Sequence, residues 1–579
     1  MSVYPKISLM VLTTALVVAC SPSQPEREAY DPEAATGFAQ NQLVSADNYM
    51  VSAANPYAVQ AGTEILAAGG SAMDAAVAVQ NMLTLVEPQS SGIGGGAFIM
   101  YWDAAEERLY TLDARETAPA ATDHNLFLNE EGEAARWIDA VVGGRSVGTP
   151  GLVRGLAEGH TKWGRLPWDR LFSSTIEKSE QGFTVSPRLA QLIEMEINPG
   201  VRKIPATADY FFPEGEPLHA GSLKRNPELA ESLRQIARQG PDAFYHGPLA
   251  EQMVDAVAQA EIEPGYLSLE DLSQYKVAWR EPVCAEYRQE KVCSMGPPSS
   301  GGVTMLQTLK MLERFDLADH GADDAQVWHW FTQASRLAFA DRDRYLADAD
   351  FVDVPVSEML APDYLLQRSQ LIDGHDMGRA EAGDFNQYVV GLNNEQPSTT
   401  HISIVDAEGN AVSMTSTIEM GFGSAVMAGG FLLNNQLTDF SLNPHTGEGL
   451  AANHIEPGKR PRSSMTPVMT FDSSGDLRHV LGSPGGPRII NYVTKTLVGL
   501  IDFELDMQMA IELPNVTNLN GNTSIEETLA PQHWREALQA LGHEVDVRSL
   551  NSGVHGISVI NGRLYGGADP RREGVAAGE

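Results

Sequence analysis

The stretch PSTTHISIVDAEGNAVSMTST (residues 397–417) sets four threonines and four serines on two runs that alternate like β-strands, joined by Asp406-Ala407-Glu408-Gly409-Asn410. With Ala407-Glu408-Gly409 as a three-residue hairpin loop and Gly409 at its left-handed position, Thr399 faces Thr417. Alternation then sends Thr399, His401, Ser403, Ser413, Thr415, Thr417 and Glu419 to one face, and Ile402, Ile404, Val412, Met414 and Ile418 to the other. The aliphatic side is a core face. The hydroxyl side is either a solvated face with threonine chosen for β-propensity or the floor of a site, and a slip of one residue undoes the pairing.

Outward from the hairpin, punctuation divides the chain. Asn55-Pro56 opens a helix to about Ala68, Gly69-Gly70 breaks it, and Ser71 with Asp74 forms a capping-box start for an alanine-rich helix that stops before Pro88. SSGIGGGAF (residues 90–98) leads into strand-like runs at 99–102 and 109–112. Residues 150–385 read as mostly helical and 373–398 as polar, exposed and mobile. From Thr399 onward strands dominate, with a late helix around 531–542.

At 579 residues with 43% hydrophobic content, the chain has enough material for a large core. A net charge of −36 repels nucleic-acid phosphates and anionic lipid, and no basic run offsets it, so a DNA or RNA partner is excluded. Residues 1–19 read as a targeting segment: Lys6 precedes an apolar run too short to span a bilayer. The run ends in Val17-Val18-Ala19-Cys20, which resembles a bacterial lipoprotein signal cleaved before Cys20, and residues 20–44 then read as a flexible tether. Cys284 and Cys293 are too few for a zinc site; flanking a predicted hairpin, they are either a disulfide or two free thiols.

Two short motifs do not carry a function. GIGGGA (residues 92–97) fits a loose dinucleotide fingerprint, but helix precedes it and strand follows, the reverse of that fold's order, so it reads as a tight loop needing glycine dihedrals. Gly144-Arg145-Ser146-Val147-Gly148 fits the nucleophile elbow of serine hydrolases after a strand-like run at 137–142, yet Thr149-Pro150 starts the helix too late for an elbow.

SSGIGGGAF, LDARETAPA, VGTPGLVRGL, PPSSGG, the hairpin stretch, LLNNQLTDF, KRPRSSMTP, GSPGGPRII and YGGADPR follow one another in the order of the γ-glutamyltranspeptidases, and the chain resembles that family from about residue 45 to its C-terminus. The resemblance implies an α+β fold, the four-layer αββα sandwich of the N-terminal nucleophile hydrolase type, built from both chains of a self-cleaved precursor. It implies a cut between Ser398 and Thr399, giving a heavy chain (45–398 after the tether) and a light chain (399–579) that form a heterodimer. Thr399 becomes the nucleophile, and its freed α-amine, which titrates near neutrality, serves as the base.

Further residues carry over by motif. Thr417 orients the Thr399 hydroxyl, and the backbone amides of Gly485 and Gly486 form the oxyanion hole. Arg115, with Ser463 and Ser464, matches the partners of a substrate carboxylate; Asp439, near Gln436, matches the partner of its ammonium. Glu419 stands where many members have asparagine, and a carboxylate there also suits an ammonium. The segment 440–459 is shorter than in members with an aromatic lid and holds no Tyr or Trp, so a more open pocket is expected. The implied activity is cleavage of γ-glutamyl amides such as glutathione, passing the group to water or to an amino acid or peptide amine, with no metal or organic cofactor. An exported, periplasmic protein lipid-anchored through Cys20, with the outer membrane favoured by Ser21, is the implied location. The alternatives are a glutaryl-type cephalosporin acylase of the same family, a non-catalytic surface lipoprotein, and a serine hydrolase using Ser146.

Overall fold

The computed structural model describes residues 37, 39–385, 398–445 and 449–579. Strands Thr400–Val405 and Ala411–Thr417 pair antiparallel in the expected register, with Thr400 opposite Ser416 and Val405 opposite Ala411. The Asp406 N–H donates to the Asn410 carbonyl at 2.9 Å, leaving Ala407, Glu408 and Gly409 as the loop, and Gly409 has φ +83°. The Asp406 carboxylate fixes that loop by accepting from the N–H groups of Glu408 and Asn410, both at 3.0 Å.

The hairpin is the centre of a seven-stranded antiparallel sheet, in the order Val575–Gly578, Met50–Ala53, Thr400–Val405, Ala411–Thr417, Gly96–Asp103, Arg108–Ala114, Ala278–Arg280. A second antiparallel sheet of seven strands lies against it: Val44–Ala46, Arg563–Ala568, His555–Ile560, Leu477–Gly482, Val468–Phe471, Glu290–Ser294, Val283–Tyr287. Ile402, Ile404, Val412 and Met414 share a core with Val77, Val79 and Leu83 of helix Ala72–Val86, which covers the first sheet beside helix Pro56–Ala67. Helices Gly301–Leu312, Ala325–Tyr345 and Ile489–Ile501 cover the second through Leu306, Phe331 and Val493, packed with Val292, Val468 and Leu481. The layers run α, β, β, α, as expected, and each sheet mixes strands from before and after residue 399. The helix starts are also as read: Asn55 Oδ1 accepts from Tyr57 N–H at 3.0 Å, and Ser71 and Asp74 form a reciprocal capping box.

The hydroxyl face is not the floor of a site along its whole length. Between the sheets Ser403 Oγ donates to the His555 carbonyl and Ser413 Oγ to the Leu481 carbonyl, both at 3.1 Å, while Val468 N–H donates to Ser413 Oγ at 3.1 Å. Thr415 Oγ1 and His401 Nδ1 are 2.8 Å apart. Stacked sheets lie about 10 Å apart, too close for bulk water, so inner hydroxyls need partners in the facing sheet. The end bearing Thr399, Thr417 and Glu419 opens onto a cleft lined by the motif residues, while the loop end, at Val405 to Gly409, borders a separate hollow with Asp472, Leu477 and Leu564.

Other expectations are corrected locally. Residues 137–142 form the helix Trp137–Ala140 rather than a strand; no strand lies beside them among the described residues, and Ala140 and Val141 N–H groups donate to the Arg136 and Trp137 carbonyls at 3.1 Å. None of Gly92, Gly94, Gly95 and Gly96 has a left-handed φ. Glycine is needed there for close approach: a Cβ on Gly94 would lie 2.2 Å from the Leu432 carbonyl oxygen, and one on Gly95 2.1 Å from that of Thr417. The tether ends before residue 44, since Ala39 N–H donates to the Pro570 carbonyl at 3.0 Å and Val44–Ala46 is an edge strand. In the segment expected to be mobile, Asp376 accepts from Gln333 Nε2 at 2.6 Å and Gly383 N–H donates to Asp341 at 2.8 Å, so residues 373–385 are held. Residues 386–397, the signal segment and Cys20 lie outside the described residues. Cys284 and Cys293 face each other in their hairpin and are joined in a disulfide. No helix among the described residues is long and apolar enough to cross a membrane.

Candidate active site

Thr399 leads into one hairpin strand and Thr417 ends the other, which brings their hydroxyl oxygens to 3.1 Å. Thr417 Oγ1 also accepts from the Glu419 N–H at 2.8 Å, so it is fixed from two sides. In the uncut chain the Gly485 N–H donates to the Ser398 carbonyl oxygen at 3.0 Å. The peptide bond between Ser398 and Thr399 therefore has a hydroxyl beside it and a backbone donor on its carbonyl. Gly486 opens a turn, Gly486–Arg488, that runs into helix Ile489–Ile501, so the positive end of a thirteen-residue helix lies at the same place. Gly485 and Gly486 have φ +132° and +57°, which aim their amides in a way a side-chain-bearing residue resists.

Across the cleft, Arg115 is 1% exposed. Its Nη2 donates to Asp439 Oδ2 at 2.5 Å and to the Arg462 carbonyl at 3.1 Å, and its Nε donates to the Pro461 carbonyl at 3.3 Å. Gln436 Nε2 donates to the same Asp439 oxygen at 2.6 Å, and Asn453 Nδ2 pins the Asp439 carbonyl at 2.7 Å. Arg115, Thr399, Thr417, Glu419, Gln436, Asp439, Ser463, Ser464 and Gly486 together line one narrow cleft. Gly485 and Ser398 join it through their mutual hydrogen bond. Ser146 lies elsewhere: fully buried, its hydroxyl faces the Val141 and Gly143 carbonyls at 3.1 and 3.0 Å, which is a structural role.

Three residues at or behind the cleft are absent from the sequence reading. Glu116, beside Arg115, has a fully buried carboxyl whose oxygens make no hydrogen bond among the described residues; burial pushes it up to about 8, with the Arg115 cation opposing. Asn434 staples three loops: its Nδ2 donates to the Gly94 and Gly148 carbonyls at 2.9 Å, and its Oδ1 accepts from the Gly148 N–H at 2.9 Å. Its signal was an Asn-Asn pair inside the apolar LLNNQL. Arg342 reaches Ser464 Oγ at 2.6 Å from behind, and its only signal was a charged cluster, Asp341 to Arg344, ending a helix.

The family described as Gamma-glutamyltranspeptidase matches residues 58–579. A glutathione hydrolase proenzyme of Bacillus subtilis (strain 168) is 36% identical over 547 residues, covering 91% of each chain. An acylase ACY 1 proenzyme of Pseudomonas sp. (strain SE83) is 34% identical, covering 94% of this chain and 96% of its own. The crystal structure of a cephalosporin acylase from Bacillus halodurans superposes with a TM-score of 0.83 at 28% identity, covering 93% of this chain and 97% of that one. With the match spanning nearly the whole fold and every motif of the cleft, this chain belongs to the γ-glutamyltranspeptidase family.

Proposed function

We propose that the chain is a proenzyme that cuts itself before Thr399 and then acts as a γ-glutamyltransferase and glutathione hydrolase. In the first step the Thr399 hydroxyl adds to the Ser398 carbonyl carbon, and the developing oxyanion is met by the Gly485 N–H. The peptide C–N bond breaks, the Thr399 nitrogen takes the hydroxyl's proton, and an ester remains. Water hydrolyses that ester, leaving a carboxylate on Ser398 and a free α-amine on Thr399. The observation that carries this reading is the pairing at one peptide bond of the Gly485 donor and the Thr399 hydroxyl.

The same parts then serve an outside substrate. The free amine accepts the Thr399 proton, the hydroxyl attacks the γ-carbonyl, and the leaving amine takes the proton with it. The γ-glutamyl-threonine ester passes to water or to an amino acid or peptide amine. The Arg115–Asp439 pair supports γ-glutamyl over glutaryl groups. A bound γ-glutamyl head inserts a carboxylate and an ammonium between the two, exchanging one buried pair for two. A glutaryl head brings only the carboxylate and offers no ammonium for Asp439 and Glu419 to receive, so it makes one favourable ionic contact where the γ-glutamyl head makes two.

Denaturing electrophoresis of the purified protein should give pieces of roughly 40 and 20 kDa at ordinary residue mass, the smaller beginning Thr399-Thr400-His401-Ile402, and Thr399→Ala should give one piece with no turnover. A glutaryl anilide turned over as well as the γ-glutamyl anilide would replace this reading by the acylase one. The reading also includes export and a lipid anchor at Cys20, supported by the Val17-Val18-Ala19-Cys20 ending of the apolar leader. Labelling with radioactive palmitate, lost on Cys20→Ala, is the check; a label that survives the substitution rejects the anchor.

A further inference from the structure

Arg342 lies in the last turn of helix Ala325–Tyr345, fully buried behind the cleft. Its Nη2 donates to Ser464 Oγ at 2.6 Å and its Nε to Ser300 Oγ at 2.8 Å. Ser300 passes the constraint on: its hydroxyl and its N–H both donate to the Ser463 carbonyl at 2.7 Å. One guanidinium from the segment before the cut thus fixes both serines of the segment after it. Its Nη1 donates to Asp343 at 2.9 Å, and the Arg342 carbonyl accepts from Arg462 Nη1 at 3.2 Å.

A hydroxyl has one proton and two lone pairs, whereas a guanidinium only donates. Ser464 Oγ spends a lone pair on Arg342, and Arg342 cannot take its proton. The Ser464 proton is therefore left for an acceptor in the cleft that this residue lines. Ser463 is poised alike, since its Oγ accepts from the Met465 N–H at 3.1 Å. Two donors aimed into a cleft beside Arg115 make a receptor for a carboxylate, and the Arg342 charge behind them lowers the cost of bringing an anion to a chain of net charge −36.

We propose that Arg342 is a positioning residue for the substrate's α-carboxylate: it locks the Ser464 hydroxyl as a hydrogen-bond donor and, through Ser300, holds the Ser463 backbone that carries the second hydroxyl. This rests on the reading of the cleft as a γ-glutamyl pocket. Its contribution is binding that ground state and transition state share, so losing it raises KM more than it lowers kcat.

The test is a double-mutant cycle of Arg342→Met and Ser464→Ala, with steady-state kinetics on a γ-glutamyl anilide and the self-cut fraction measured for each variant. Arg342→Met is expected to raise KM about tenfold, the equivalent of one charge-assisted hydrogen bond, with kcat changed by less than about twofold. In the Ser464→Ala background the same substitution should raise KM clearly less than tenfold, because the hydroxyl it contacts directly is gone and only the route through Ser300 and the buried charge remain. A full effect of Arg342→Met in that background, or an equal fall in kcat with KM unmoved, overturns the inference while leaving the pocket reading intact. Ser464→Ala with an unchanged KM overturns the pocket reading as well. Should Arg342→Met fail to give folded, cut enzyme, Arg342→Lys takes its place in the cycle: it keeps the charge but not the two-armed fork, and KM equal to wild type rejects the proposal.

Discussion

Thr399 has φ +92°, in the left-handed region that a β-branched residue enters only at a cost of about 1–3 kcal/mol. That torsion turns about a bond whose preceding peptide is the one the proposed self-cleavage would break, so cleavage there would abolish the constraint and the strain would favour the products. Glu419, with φ +77°, is the other non-glycine outlier lining the cleft, and its N–H is what holds Thr417. Glu116 supplies a test of cleft electrostatics. A carboxyl pushed from 4.5 up to about 8 holds a proton in the folded state that the unfolded chain has lost. The stability it contributes is full below pH 4.5 and falls as pH rises towards 8. Glu116→Gln removes this dependence, so the variant's urea midpoint relative to wild type should climb between pH 5 and pH 8; a difference flat with pH would show that the carboxyl is already ionised in the fold.

At the scale of elements, the loop of residues 90–96 and the hairpin above it are in backbone contact, which makes Gly95 a sensitive point. Gly95→Ala would force its Cβ to within 2.1 Å of the Thr417 carbonyl and push that strand end out of place. A loss of about 2 kcal/mol or more is expected, together with slower self-cleavage, read by thermal melting and by the fraction of cut chain over time. The hairpin itself was legible because everything that sets its register is local: Asp406 and Gly409 fix the loop, and alternation does the rest. The capping box at Ser71 and the facing cysteines were legible for the same reason. What covers each face was not. Ser403 and Ser413 carry the same pattern whether they meet water or a second sheet, and the strands they meet lie at Leu477–Gly482 and His555–Ile560, far along the chain. The residues that line the cleft were read from contiguous motifs; Arg342 was not, because its link to Ser464 spans 122 positions and follows from a helix packing on a sheet.

For the whole molecule, a buried histidine pair ties helix Ala325–Tyr345 to Asp373 on one side and to His543 and Thr523, far along the chain, on the other. His329 Nε2 faces the Asp373 carbonyl at 2.9 Å and so carries a proton; its Nδ1 then accepts from His543 Nε2 at 2.8 Å, and His543 Nδ1 accepts from Thr523 at 2.9 Å. Asp373, Asp376, Arg336 and His375 are the charged or titratable groups that face the pair. Burial holds both rings below the ordinary histidine value, His543 down to about 4, so the stability they contribute is present above about 6.5 and lost as pH falls towards 4. Circular-dichroism titrations should show wild type losing stability across that range and His543→Asn losing less; equal acid sensitivity would place the titrating groups elsewhere. The interleaving of strands from both sides of residue 399 in both sheets has a further result. Once cut, the two polypeptides stay together through the core, but a mature enzyme that melts has lost the covalent guide that kept its halves at high effective concentration. Renaturation becomes a second-order search competing with aggregation, whereas the uncut Thr399→Ala chain reassembles in a first-order process. With the proposed cut, maturation would work as a one-way ratchet, and dilution before cooling should depress recovery of the cut form alone.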